Sequence, residues 1–382
     1  MAWQLTSYII ITKNPFFLWH FHKIFEMFSM LIYNSFGLEL TYYQRILEYM
    51  KKLSHIINWC LAIIVAFIMI NIVCFFYERQ PGWHDTPNGA SLAVRMPYSL
   101  IVHGTEGYSI TRVDKNGYLN PDMQLADHYI LMMGASHTQG KEISPDKKYS
   151  VLVNDLYFND SKLHTYNISC DGSFLPSQIK HFKAAMETFP DADVVTIEIL
   201  STDYSVDEIK DSLIQAEYDP SDTAVYFENM SLKEKARTAL KSYIPMLSKI
   251  KKNMLAIEQA KQTTEKTDID FYEYQKEITK ALALIRSECN VPLVIIYHPE
   301  TSINQDGSLS LKYSDTWDIF YNACKSCNID VIDSGNDFLQ YYENNNVLPY
   351  GFSNSAPGTG HLNKIGHQII ANEIIDYLEE LK

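Results

Sequence analysis

Residues 57–77 form 21 consecutive positions without a charged side chain, dominated by Ile, Val, Phe, Met and Cys. At 1.5 Å per residue a helix of this length crosses a hydrocarbon core of ~30 Å, so the run predicts a single transmembrane helix. Lys51 and Lys52 precede it, Arg45 stands further back and Glu78 follows. The positive-inside bias then sets the N-terminal side in the cytoplasm and everything beyond about residue 80 outside. The run is longer than a signal-peptide core and no A-x-A-like cleavage site follows it, so an uncleaved anchor is expected. Lipidation at Cys74 is disfavoured, because Asn71-Ile72-Val73 lacks the small residue expected before a lipidated cysteine.

Residues 1–56 read as a cytoplasmic or interfacial segment. Their apolar stretch 16–33 is interrupted by His20, His22, Lys23 and Glu26, which are costly at a bilayer centre. Met50, followed by two lysines and an apolar run, has the pattern of a signal-anchor start, and translation beginning there is the expectation.

The 382 residues are ample for a full hydrophobic core. A net charge of −14 without a basic stripe excludes nucleic acid as an expected partner. Cys324 and Cys327 form a CxxC with no second pair of ligands, so they read as two partly buried thiols rather than a zinc site. No His/Asp/Glu group has ligand spacing, so neither a metal nor a cofactor is expected.

Beyond the anchor, 78–127 carries Pro, Gly and Asn with a turn-like Asp114-Lys115-Asn116-Gly117-Tyr118, and reads as a stalk and lead-in. In 128–382, β-rich runs at 129–133, 165–169, 194–199, 292–297 and 329–332 alternate with helical spacing at 150–158, 176–189, 272–289, 313–327 and 364–381. That alternation predicts an α/β domain, a parallel sheet between two helical layers. A polar insertion, 205–267, interrupts it, with helical spacing over 231–262 broken near Pro245.

Two stretches carry chemistry. In 129–140 a buried strand runs into the small-residue turn Gly134-Ala135-Ser136, which sets Ser136 beyond the carboxyl end of a strand, where open α/β sheets bind ligands. Such a serine is either a nucleophile, if a base reaches it, or an N-cap of the following helix. In 357–371, His361 stands in a glycine-rich loop before the last amphipathic helix, free of any apolar period. Histidine titrates near neutrality, as a general base requires. His367 falls inside the helix start and reads as structural.

Together these stretches resemble the SGNH (GDSL-like) hydrolase superfamily over about 129–381. The resemblance implies a flavodoxin-like three-layer sandwich, with Ser136 as nucleophile and His361 as base. It also implies an oxyanion hole from the backbone N–H groups of Ser136 and Gly172, the latter in Asn167-Ile-Ser-Cys-Asp-Gly-Ser173. Two positions depart from the pattern. Thr202 stands where the family carries an oxyanion asparagine, and a hydroxyl there can donate one hydrogen bond. Gly358 stands three residues before the histidine, where the family carries aspartate. Either a Ser–His dyad operates, or another carboxylate, Asp333 or Asp337, orients the imidazole.

One N-terminal anchor with such a domain outside is similar to bacterial proteins that place or remove acyl groups on cell-surface polymers. The expected function is ester hydrolysis or O-acyl (acetyl) transfer on a glycan of the cell envelope, through an acyl-Ser136 intermediate. The expected partners are that polysaccharide or an acylated small substrate, the cytoplasmic membrane through 57–77, and an integral membrane acyl donor protein. The alternative is a catalytically weak glycan-binding or scaffold module of a surface-polymer assembly complex.

Overall fold

The computed structural model describes residues 40–79, 83–84, 94–216 and 270–382, with scattered positions between 23 and 31 and between 231 and 244. The expected helix over 231–262 and most of the expected segment 1–56 lie outside the described residues. The chain divides into two compact units, Met1–Ile70 and Asn71–Lys382.

The apolar run is helical, and the helix, α1, is longer than the run, spanning Leu40–Tyr77. Residues 40–56 contain no Gly or Pro and are rich in Leu, Lys, Glu, Gln and Met, so nothing stops the helix before Leu40. Its portion Gln44–Tyr77 is long and apolar enough to cross a membrane.

In Asn71–Lys382 a short antiparallel pair, Trp83–His84 with Val94–Arg95, precedes an antiparallel hairpin, β1 (Leu100–His103) and β2 (Ser109–Arg112). The hairpin lies within 78–127, the expected stalk and lead-in. Ile101, Ser109, Thr111 and His103 on one face of the hairpin are buried, so it packs on the domain. The main sheet contains β3 (Gln124–Met133), β4 (Lys162–Asn167), β5 (Ala192–Ile199), β6 (Leu293–Tyr297) and an edge strand Asp330–Asp333, all parallel. Their spatial order is second, first, third, fourth, fifth in chain sequence, the flavodoxin-like arrangement. All five expected strands are present.

Alternation along the central strand explains the two helical layers. Tyr129, Leu131 and Met133 enter one apolar cluster with Ile179, Phe182, Ile278, Leu282 and Phe320. Ile130 and Met132, pointing the other way, enter a second with Tyr149, Ile370, Ile374 and Phe338. The first cluster takes helices Leu175–Thr188, Phe271–Ser287 and Trp317–Ser326; the second takes Tyr149–Val153, Gly335–Asn345 and Lys364–Glu380. Each side chain so buried contributes roughly 1.5–3 kcal/mol. The helix expected over 150–158 is shorter, Tyr149–Val153, and relaxes into a wider π turn, Asn154–Phe158.

This topology determines where a ligand can sit. From β3 the chain passes to β4 on one side and then crosses to β5 on the other, so the carboxyl end of β3 lies at a topological switch point.

Candidate active site

Strand β3 ends at Met133 and a short helix, Ser136–Gln139, begins three residues later. The turn between them requires glycine at 134: an added Cβ would stand 2.0 Å from Thr138 Oγ1 and 2.7 Å from Glu198 Oε2. The space a side chain would fill belongs to Glu198, the penultimate residue of β5. Its carboxylate accepts from Ala135 N at 2.9 Å and Thr138 Oγ1 at 2.8 Å, while His298 Nε2 donates to the other oxygen at 2.8 Å. Burial alone would raise this carboxyl's pKa, but the bonds from His298 and Thr138 outweigh it and hold the pKa down to about 2. A buried anion thereby braces the turn that presents Ser136.

His361 lies against the serine, with Nε2 2.9 Å from Ser136 Oγ. Three residues seat its loop. Asn363 caps the final helix, accepting from Ile365 N at 2.8 Å, and donates to Leu348 O at 2.7 Å. Gly351 N donates to His361 O at 3.0 Å. Leu362 N donates to His137 Nδ1 at 3.2 Å, a ring that complete burial keeps neutral by pushing its pKa well below the usual histidine range. His367 does not face the serine. It accepts the Tyr149 N–H through Nδ1 at 3.2 Å, and burial lowers its pKa to about 3.

The carboxylate at the imidazole is neither Asp333 nor Asp337 but Glu106, in the turn between β1 and β2. Glu106 Oε2 is 2.6 Å from His361 Nδ1, and Oε1 accepts the His361 backbone N–H at 2.8 Å. Asn354 locks the turn: its Oδ1 accepts from Gly107 N at 2.7 Å and its Nδ2 donates to Gly104 O and Gly107 O at 3.1 and 2.9 Å. Gly360, at φ +81°, leaves room for the glutamate, since a Cβ there would lie 2.1 Å from Glu106 Oε1. The two aspartates are occupied elsewhere. Asp333 accepts from Tyr313 OH at 3.0 Å and Gly335 N at 3.0 Å, and Asp337 lines a cavity of about 290 Å³ with Tyr341, Glu373 and Asp376.

Gly172 follows β4 at the same sheet edge with φ +80°, and Cys170 N donates to Gly134 O at 3.1 Å, tying its loop to the serine turn. Among the described residues neither Ser136 N nor Gly172 N makes a hydrogen bond; the former is the unpaired first N–H of a helix. The loop is also held by an ion pair between buried Lys141 and Asp171. Thr202 is not part of this group. It is fully buried, its hydroxyl shares a hydrogen bond with Thr316 Oγ1 at 2.9 Å, and its carbonyl accepts from Tyr274 OH at 2.6 Å. A second carboxyl that sequence reasoning missed, Glu142, sits 2% exposed with Oε1 3.7 Å from His361 Nε2, and burial raises its pKa.

No protein-family model matches the sequence, and no curated protein matches it. Among solved structures, a psychrotrophic esterase, EstA from Pseudoalteromonas sp., is 11% identical with a TM-score of 0.36, over 67% of this chain and 98% of its own. A member of the lipolytic G-D-S-L family from Veillonella parvula is 13% identical, TM-score 0.33, over 65% and 97%. An acetyl xylan esterase, AlAXEase, is 15% identical, TM-score 0.35, over 65% and 98%. Superpositions this loose leave the chemistry of the site to its own distances.

Proposed function

We propose that the chain is a serine esterase or O-acyltransferase of the SGNH type, anchored in a bacterial cytoplasmic membrane and acting on acylated glycans outside it. The observation that carries the reading is the continuous relay Glu106–His361–Ser136, with contacts of 2.6 and 2.9 Å. In the acylation step Ser136 Oγ attacks the ester carbonyl while its proton passes to His361 Nε2. Glu106 stabilises the resulting imidazolium through Nδ1–H. The N–H groups of Ser136 and Gly172 receive the developing oxyanion, an effect typically worth ~3 kcal/mol per donor. The leaving alkoxide takes the proton from Nε2 and the acyl group remains on Ser136. Water or a sugar hydroxyl then gives its proton to Nε2 and attacks the ester, and as the acyl bond to Ser136 breaks the proton returns from Nε2 to Ser136 Oγ. Exclusion of water from the site determines which acceptor prevails.

A catalytically weak scaffold drew its support from Gly358 and Thr202. Glu106 answers the first departure by holding the imidazole from a different part of the chain. The test is release of acetate from an O-acetylated polysaccharide by the full chain in detergent, beside Ser136→Ala. Serine-dependent release, or serine-dependent movement of acetyl to a second saccharide, supports the proposal; release equal in both proteins refutes it.

A further inference from the structure

The hairpin that carries Glu106 is built directly on the end of the apolar helix. The last residues of that helix, from Asn71 onward, belong to the same compact unit as the hairpin. Arg79 and Val102 exchange backbone hydrogen bonds of 2.7 and 2.9 Å, and Tyr108 OH donates to Phe76 O at 3.3 Å. The turn approaches so closely that a Cβ on Gly104 would stand 2.5 Å from Tyr77 O.

The two faces of the hairpin differ sharply. The inner face is buried, as described above. On the outer face Val102 is buried beside its pairing with Arg79, whereas Leu100 and Ile110 are 40 and 48% exposed; Tyr108 in the turn is 58% exposed, and neighbouring Tyr98 is 55% exposed with the Arg112 guanidinium 5.8 Å from its ring centre. In water these apolar and aromatic groups side by side carry an uncompensated hydration cost. Tyr108 reaches Phe76, at the end of the span, through the hydrogen bond given above, and Tyr is the residue enriched at the boundary between acyl chains and headgroups. An apolar surface that begins at the end of a span meets the bilayer before any other partner.

Resting on the membrane-anchored reading above, we infer that the outer face of the hairpin Leu100–His103/Ser109–Arg112 lies in the headgroup layer of the bilayer that α1 crosses. The catalytic site is thereby held at the membrane surface, because the turn supplying Glu106 is part of the same hairpin. A substrate or acyl donor presented at that surface needs no reach into bulk solution. The lipid is recognised by its amphipathic boundary rather than by any particular headgroup.

The test uses the full chain in phosphatidylcholine vesicles whose acyl chains are brominated near the headgroup. Ile110→Trp and, separately, Leu100→Trp report on the hairpin; Ile303→Trp, on a separate hairpin, Glu300–Ile303/Leu309–Lys312, and itself 47% exposed, is the control. Serine labelling by a fluorophosphonate first establishes that each variant is folded. The expected result is loss of the added emission at positions 110 and 100 and none at 303. Equal emission at all three sites overturns the inference. A blue-shifted emission that bromine leaves intact also overturns it, since a second copy or another protein then covers the face. Flotation separates the two layers of argument: a chain that does not float with vesicles removes the membrane reading itself, whereas one that floats without quenching removes only the inference.

Discussion

Replacing Glu106 by Gln preserves the side-chain volume and removes the charge beside His361 Nδ1. The amide carbonyl can still accept the His361 backbone N–H, as Glu106 Oε1 does at 2.8 Å, so the loop stays seated. The amide NH₂ then faces Nδ1, where the carboxylate oxygen stood at 2.6 Å. Nδ1 must become an acceptor, the proton moves to Nε2, and the ring can no longer take the Ser136 proton across 2.9 Å. Loss of the charge-assisted hydrogen bond removes roughly 1.5–3 kcal/mol by itself. The reversed tautomer brings the comparable loss in a triad to about 10⁴ in turnover, near 5 kcal/mol. Because the glutamate side chain is 19% exposed, water moderates the effect, and Glu106→Gln is expected to lower kcat by roughly 10³–10⁴ with KM changed by less than about threefold. Aryl acetate hydrolysis and the rate of fluorophosphonate labelling both read this. A variant within about tenfold of the native rate, or a comparable loss in Asp333→Asn or Asp337→Asn, refutes the assignment of the carboxylate.

Gly360→Ala puts a methyl group 2.1 Å from Glu106 Oε1 at a φ of +81°, and is expected to lower turnover about as far as Glu106→Gln while circular dichroism stays native. Thr202→Val removes a buried hydrogen bond to Thr316 without touching the serine; kcat is expected to stay within about twofold and stability to fall by ~1 kcal/mol in urea unfolding. Burial, reinforced by the Asp337 carboxyl, raises the Glu373 pKa from 4.5 to about 9. The folded state therefore keeps a proton that the unfolded chain releases, so this contribution is complete below pH 4.5 and is lost as pH rises towards about 9. Glu373→Gln is expected to flatten the decline in Tm over that window, and a decline unchanged from native contradicts the assignment.

The parts of this architecture legible from sequence are those encoded locally. Buried central strands such as 129–133 and 293–297 are apolar on both faces and stand out from their surroundings, and Ser136 and His361 lie in short glycine-bearing segments next to regular elements. Glu106 gave no such signal. It sits in Gly104-Thr-Glu-Gly-Tyr108, an ordinary turn between four-residue strands, and reaches His361 across 255 positions. Asn354, itself remote in sequence, ties that turn in place. Thr202 misled for the opposite reason: its position after β5 matches a family block, but its hydroxyl is consumed by Thr316 from the far side. Pattern identified which elements form; long-range hydrogen bonds decided which side chains meet.

The central claim is that Ser136 is an activated nucleophile. It is tested most directly by treating the full chain with a fluorophosphonate and locating the adduct by peptide mass spectrometry. One adduct is predicted, on Ser136, absent from Ser136→Ala and formed far more slowly in His361→Ala. No adduct on the native chain, or one that persists unchanged in Ser136→Ala, contradicts the account.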